Sequence, residues 1–140
     1  MDLFDKGAPQ RLRAAATALT TSLVASSELA VSTHSTVSIE VEYTAGTGGT
    51  GVEYLPEVLM AGETVWSPAV SALNAGTPSG GAVTAEACAM TYSQVAGKRT
   101  LHVPVYGATS FRVRAKETTA TSISVAGTCG ILAVASRLGA

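Results

Sequence analysis

The sequence predicts an all-β fold: an antiparallel β-sandwich, or barrel-like sandwich, of about 8 short strands with an N-terminal arm. Apolar residues alternate with polar ones along most segments, the period-two pattern of half-buried strands. Turn signals recur about every ten residues, the spacing of sandwiches and barrels. No window sustains the i, i+3, i+4, i+7 stripe of an amphipathic helix.

Residues 1–13 read as the arm, free in isolation or laid on a partner, because they hold both aspartates, Asp2 and Asp5, with Lys6, Gly7 and Pro9. Residues 14–140 are read as a single domain, long enough to bury a core. Ala14-Ala-Ala-Thr-Ala-Leu suits a helix, whereas Thr20-Thr-Ser-Leu-Val-Ala-Ser-Ser favours extended chain, so strand is expected across Arg11 to Ala30. In Thr36 to Tyr43, Val37, Ile39, Val41 and Tyr43 share one face and Ser38, Glu40 and Glu42 the other.

Gly46-Thr-Gly-Gly-Thr-Gly51 reads as loop. Val52 to Met60 is a strand in which Pro56 argues for an edge or a bulge. Ala61-Gly-Glu is a turn, Thr64-Val-Trp-Ser a short strand stopped by Pro68, and Ala69 to Gly81 loop. Further strands are expected at Val83 to Tyr92, Thr100 to Tyr106, Phe111 to Lys116, Ser122 to Ala126 and Ile131 to Ser136. Between them fall the turns at Val95-Ala-Gly-Lys, Gly107-Ala-Thr, Glu117-Thr-Thr-Ala and Gly127-Thr-Cys-Gly.

Composition narrows the function. Charged residues are 14% of the chain, against roughly a quarter in ordinary soluble domains. A small monomer with so little ionic surface is poorly kept apart from its neighbours, which points to a subunit whose flanks are covered by other chains. A formal net charge of -1 supplies no general attraction to nucleic acid or anionic membrane. No apolar run approaches the ~20 residues that span a bilayer, and the acidic start is unlike a secretory signal. Cys88 and Cys129 are too few for a disulfide scaffold and read as two buried thiols, with one bridge as the alternative.

Reaction chemistry is not written in the residues. His34 and His102 lack a nearby aspartate and a Gly-x-Ser-x-Gly elbow, and His102 is expected to face solvent or a neighbouring subunit. Glu40 and Glu42 at i, i+2 are more often a solvated face than a cation site, and no clustered ligand set accompanies them. The glycine-rich loop lacks the Lys-Ser/Thr and the following helix of a phosphate loop. Trp66 has two readings, a plug at one end of the core or an interface anchor. Arg112, Arg114 and Lys116 share a face opposite Phe111, Val113 and Ala115; a polar outer face is expected, with pairing to Glu40 and Glu42, within the sheet or between subunits, as the alternative. No enzyme activity, cofactor or metal is expected.

Ser35-Thr-Val-Ser-Ile-Glu-Val-Glu-Tyr43, Tyr106-Gly-Ala-Thr-Ser-Phe-Arg-Val-Arg-Ala-Lys116 and Thr121-Ser-Ile-Ser-Val-Ala-Gly127 carry a resemblance. In this Ala/Thr/Gly-rich, sheet-forming style, the chain resembles the small β-sandwich structural proteins of tailed bacteriophages: capsid decoration (cement) proteins, neck or collar subunits, and tail subunits. The resemblance implies a homo-oligomer in the virion, assembled in the host cytoplasm beside a major capsid protein or neck and tail subunits. A decoration role is preferred. The alternative of another class is a cell-surface or fibre-borne module binding glycan or protein. On the assembly reading, the expected contact residues are Leu3, Phe4, Arg11, Arg13, Glu40, Glu42, Gly48, Gly49, Arg112 and Arg114.

Overall fold

The computed structural model describes residues 4–69, 88–91 and 96–138, and within them the chain is all-β. Five long strands form the body: β5 (Thr36–Thr44), β6 (Gly49–Met60), β9 (Ala96–Pro104), β10 (Ala108–Thr119) and β11 (Thr128–Leu138). Shorter ones flank them: β1 (Phe4–Lys6), β2 (Gln10–Arg13), β3 (Val24–Ala25), β4 (Leu29–Ala30), β7 (Ser67–Pro68) and β8 (Cys88–Thr91). The expectation of short strands is corrected: pairing runs on through residues that read as loop or turn, among them Gly49 and Gly51, Ala96 to Lys98, Glu117 to Thr119 and Thr128.

Every described pairing is antiparallel. One sheet runs β1-β11-β5-β9, with β2 also on β11; the other runs β3-β10-β6-β7, with β4 on β10 and β8 on β6. Their inner faces share one core. Val37, Ile39, Val41 and Tyr43 of β5 join Cys129, Ile131, Ala133 and Ala135 of β11 on one side. Val52, Tyr54 and Val58 of β6 with Phe111, Val113 and Ala115 of β10 supply the other. The side-chain facing expected for Phe111 to Lys116 is therefore seen.

Several local expectations change. Pro56 lies inside a paired strand, neither at an edge nor at a register shift. Opposite it, Val113 turns its N–H and carbonyl away to Ser26, accepting from the Ser26 N–H at 2.8 Å. The missing Pro56 N–H therefore falls on the side away from β10, between the stretches of β6 that pair with β8 and β7, where the Pro56 carbonyl accepts from Ala69 N at 2.9 Å. Ser122 to Ala126 is a loop fastened by an isolated Thr47–Val125 bridge, not a strand. The glycine loop ends at Gly48, since Gly49 already opens β6. Of Thr64 to Ser67, only Ser67 is in a strand.

Arg11 to Ala30 is extended but broken into short edge pieces, in keeping with its mixed signals. The arm lies on its own sheet: β1 pairs with Ser136–Leu138 and β2 with Ile131–Ala133, end to end along one edge of β11. Leu3, the loop expected at 70–81, residues 83–87 and Tyr92 of the next expected strand, and the start of the turn at Val95 lie outside the described residues.

Candidate functional site

The outer face of β10 and β6 carries the densest polar cluster. Register sets it: Arg112 faces Glu57, Arg114 faces Leu55, and Lys116 faces Glu53. Arg112 Nε donates to Glu57 Oε1 at 2.9 Å, and Arg114 Nε lies 3.0 Å from the same oxygen. The latter is a charge contact only, because the Arg114 Nε–H is not aimed at the carboxyl and finds no hydrogen-bond partner. Lys116 Nζ is 3.3 Å from Glu53 Oε2. Glu57 is only 3% exposed although it faces away from the core. Two guanidinium groups compensate its desolvation.

Trp66 belongs to this cluster and not to the core. It is half-buried on the outer face, with the Arg112 guanidinium 4.3 Å from its ring centroid, a cation–π stack. Neither the plug reading nor the Glu40/Glu42 pairing within the chain is realised. Glu40 and Glu42 point outward from β5 in the other sheet, where Glu40 meets Lys98 at 3.7 Å.

That second face also holds Ser38 and His102, register partners whose Oγ and Nδ1 are 2.7 Å apart. His102 is exposed as expected. Among the described residues no carboxyl group bonds to its ring, so the relay that would orient a catalytic imidazole is not assembled around this pair.

The remaining expected contact residues scatter. Arg13 is committed internally: Nε donates to the Cys129 carbonyl at 3.0 Å and Nη2 to the Ala18 carbonyl at 2.6 Å, clamping the turn after β2 onto β11. Arg11 and Gly48 are exposed, Phe4 sits in β1, and Gly49 is buried, which removes it from any contact surface. Among the described residues the exposed large apolar side chains are Val24, Met60, Val65, Tyr106 and Val125. Tyr106 is 73% and Met60 38% exposed, and their turns are joined by Ala61 N donating to the Gly107 carbonyl at 3.0 Å. Tyr106 thus lies in the turn between β9 and β10 and does not pack in a sheet.

Glu117 is the residue that sequence reasoning missed. It is 1% exposed and continues the inward series of Phe111, Val113 and Ala115. Its carboxyl accepts from Tyr43 Oη at 2.9 Å and from Gly127 N at 2.8 and 3.1 Å, so it ties the two sheets to the loop before β11. Gly49 and Gly127 make room: a Cβ on either would collide with this carboxyl. The alternation holds the clue, but Glu117-Thr-Thr-Ala reads as a turn. Cys129 is a free buried thiol whose pKa burial pushes up to about 11 against the opposing pull of Arg13. Cys88 is described only through its place in β8.

No protein-family model matches the sequence, and no curated protein does. Solved structures share the fold. The SPBc2 prophage-derived protein YomS overlays with a TM-score of 0.55 at 11% identity, over 98% of this chain and 97% of that one. A chain in the structure of infectious bursal disease virus, Gx strain, overlays with a TM-score of 0.57 at 10% identity, over 99% of this chain and 34% of that one. The same virus's VP2 subviral particle gives 0.52 at 12% identity, over 99% and 33%. The chain thus spans about a third of the viral chains and nearly all of the prophage-derived protein.

Proposed function

We propose that this chain is a non-enzymatic structural protein of a phage particle that self-associates and stabilises the shell as a decoration or cement subunit. The observation that carries the reading is the end-to-end overlay on a prophage-derived protein, in a fold that also occurs in chains of virus particles. Physical chemistry supports it independently. The chain has few charges, those on the β10/β6 face are largely paired with each other, and Tyr106 and Met60 are bare at one end. Such a surface gains from contact with copies, and repetition lets each contact be modest. The partners are further copies and other virion proteins such as the major capsid protein. The chain is made in the host cytoplasm and resides in the virion. A neck, collar or tail position is the variant of the same reading.

The glycan-binding alternative draws little support from Trp66, because the ring is half-buried and one of its faces is stacked against Arg112. Size-exclusion chromatography with light scattering, then electron microscopy of particles incubated with the protein, tests the proposal. An oligomer and a periodic surface density are expected. A monomer at all concentrations that never decorates particles overturns it.

A further inference from the structure

The outer face of β10 and β6 is a ladder of cross-strand charge pairs with one acid missing. Two rungs match a cation with a carboxylate, Arg112 with Glu57 and Lys116 with Glu53. The rung between them sets Arg114 opposite Leu55, with Ala25 of β3 on its other side, and neither neighbour has a side-chain acceptor. Arg114 therefore leans on Glu57, which Arg112 already holds, and two guanidinium groups on one carboxylate leave a positive charge in excess. Arg114 makes no hydrogen bond among the described residues, and its side chain is 33% exposed. A planar fork of donors suited to a carboxylate is left without one.

The outer face of the other sheet has the opposite shortage. Glu42 of β5 stands between Lys98 of β9 and Gly130 of β11. Lys98 turns to Glu40, Gly130 has no side chain, and Arg11 reaches over Gly130 without closing an ion pair to Glu42. Glu42 makes no hydrogen bond or ion pair among the described residues, although it is half-buried. Glu28 and Glu63 also lack an ion pair among the described residues, but both are exposed in loops, where water serves them.

We propose that Arg114 of one copy receives the Glu42 carboxylate of a second, the outer face of one sheet lying on the outer face of the other. The inference rests on the assembly reading above and names the contact that joins copies. The two groups are opposite in sign, and each is partly withdrawn from water without a full counter-charge. Such groups gain more from meeting than fully solvated ions do. Both stand on strand faces and not in turns, so two sheets can pack over them. The contact joins two different surfaces, so every copy keeps one of each to offer, and association continues into a ring or a filament.

The parent, Arg114→Met and Glu42→Lys proteins are compared by light scattering and sedimentation velocity, and the two variants are then mixed in equal amounts. Each variant alone should associate about tenfold more weakly than the parent. The mixture should form a discrete dimer, because Arg114 of the Glu42→Lys chain meets Glu42 of the Arg114→Met chain and the two outward surfaces are disabled. The contact is overturned if either variant associates like the parent, or if the mixture associates no better than its components. Arg114→Met protein that self-associates normally but decorates particles less well also overturns it, and assigns the acid to another virion protein. Glu42 has no ion pair within the chain to lose, so Glu42→Lys reads the contact even if Arg114→Met folds poorly. An oligomeric parent with unaffected variants removes this contact and leaves assembly standing, whereas a parent that is monomeric at every concentration removes both.

Discussion

Replacing Tyr43 with Phe isolates what the buried Glu117 carboxyl contributes. The ring and its packing are kept, and only the hydroxyl that donates to Glu117 Oε2 at 2.9 Å is lost. Because Glu117 is 1% exposed, water does not replace that donor, and the carboxyl is left with the Gly127 N–H. A lost hydrogen bond of this kind, with the acceptor left under-satisfied, costs about 2 kcal/mol. At about 2.1 cal/mol/K of unfolding entropy per residue, 140 residues give about 0.3 kcal/mol/K, so Tm should fall by about 6–7 °C. Thermal unfolding followed by circular dichroism measures this. A double-mutant cycle with Glu117→Gln should return a coupling of about 1–2 kcal/mol, since the two groups touch. A Tm within about 2 °C of the parent for Tyr43→Phe, with no coupling in the cycle, would refute the account of Glu117 as an inter-sheet tie.

Three further outcomes follow from the same contacts. Gly127→Ala places a Cβ against the Glu117 carboxyl and 2.9 Å from both the Thr44 carbonyl and the Tyr43 ring, so urea unfolding should show a loss of about 3 kcal/mol. Arg112→Ala removes the 2.9 Å bond to Glu57 and uncovers Trp66, costing about 2 kcal/mol; Arg112→Lys should recover only part, and Trp66 fluorescence should shift in both. For Cys129, the folded pKa of about 11 exceeds the ordinary thiol value of 9.0, so the unfolded chain loses its thiol proton first as pH rises. Its contribution is fully present below about pH 9 and is lost towards pH 11, by about 2–3 kcal/mol; a Cys129→Ala variant, whatever its absolute stability, should lack that part of the slope in denaturant titrations against pH.

Much of the fold was legible along the chain. Val37 to Tyr43 and Phe111 to Ala115 alternate cleanly, and a strand buried on one face leaves little freedom over which residues turn inward. The boundaries were less legible. Thr118, Thr119 and Thr128 read as turn residues, yet they pair, because β-branched side chains sit comfortably at the ends of long strands. Ser122 to Ala126 alternates like a strand but is held as a loop by a bridge to Thr47. Pro56 suggested an edge because local chemistry cannot say on which side a missing N–H will fall.

The polar cluster shows the same division. That Arg112, Arg114 and Lys116 share a face follows from period two alone. That their partners are Glu57 and Glu53, and not Glu40 and Glu42, follows from which strand lies beside β10 and in which register, a choice made between segments more than fifty residues apart. Glu117 likewise becomes a structural tie only when Tyr43 and Gly127 arrive from the other sheet.

By itself the sequence determined an all-β chain, the inward faces of its best strands, and a charge content of 14%. Those properties are local or additive, set by residue type and a period of two. The tertiary structure decided which strands are neighbours, which charges compensate one another, where the arm lies, and which carboxyl goes inside. These depend on register and on the stacking of two sheets, and contacts between distant segments exist only once the chain has closed on itself.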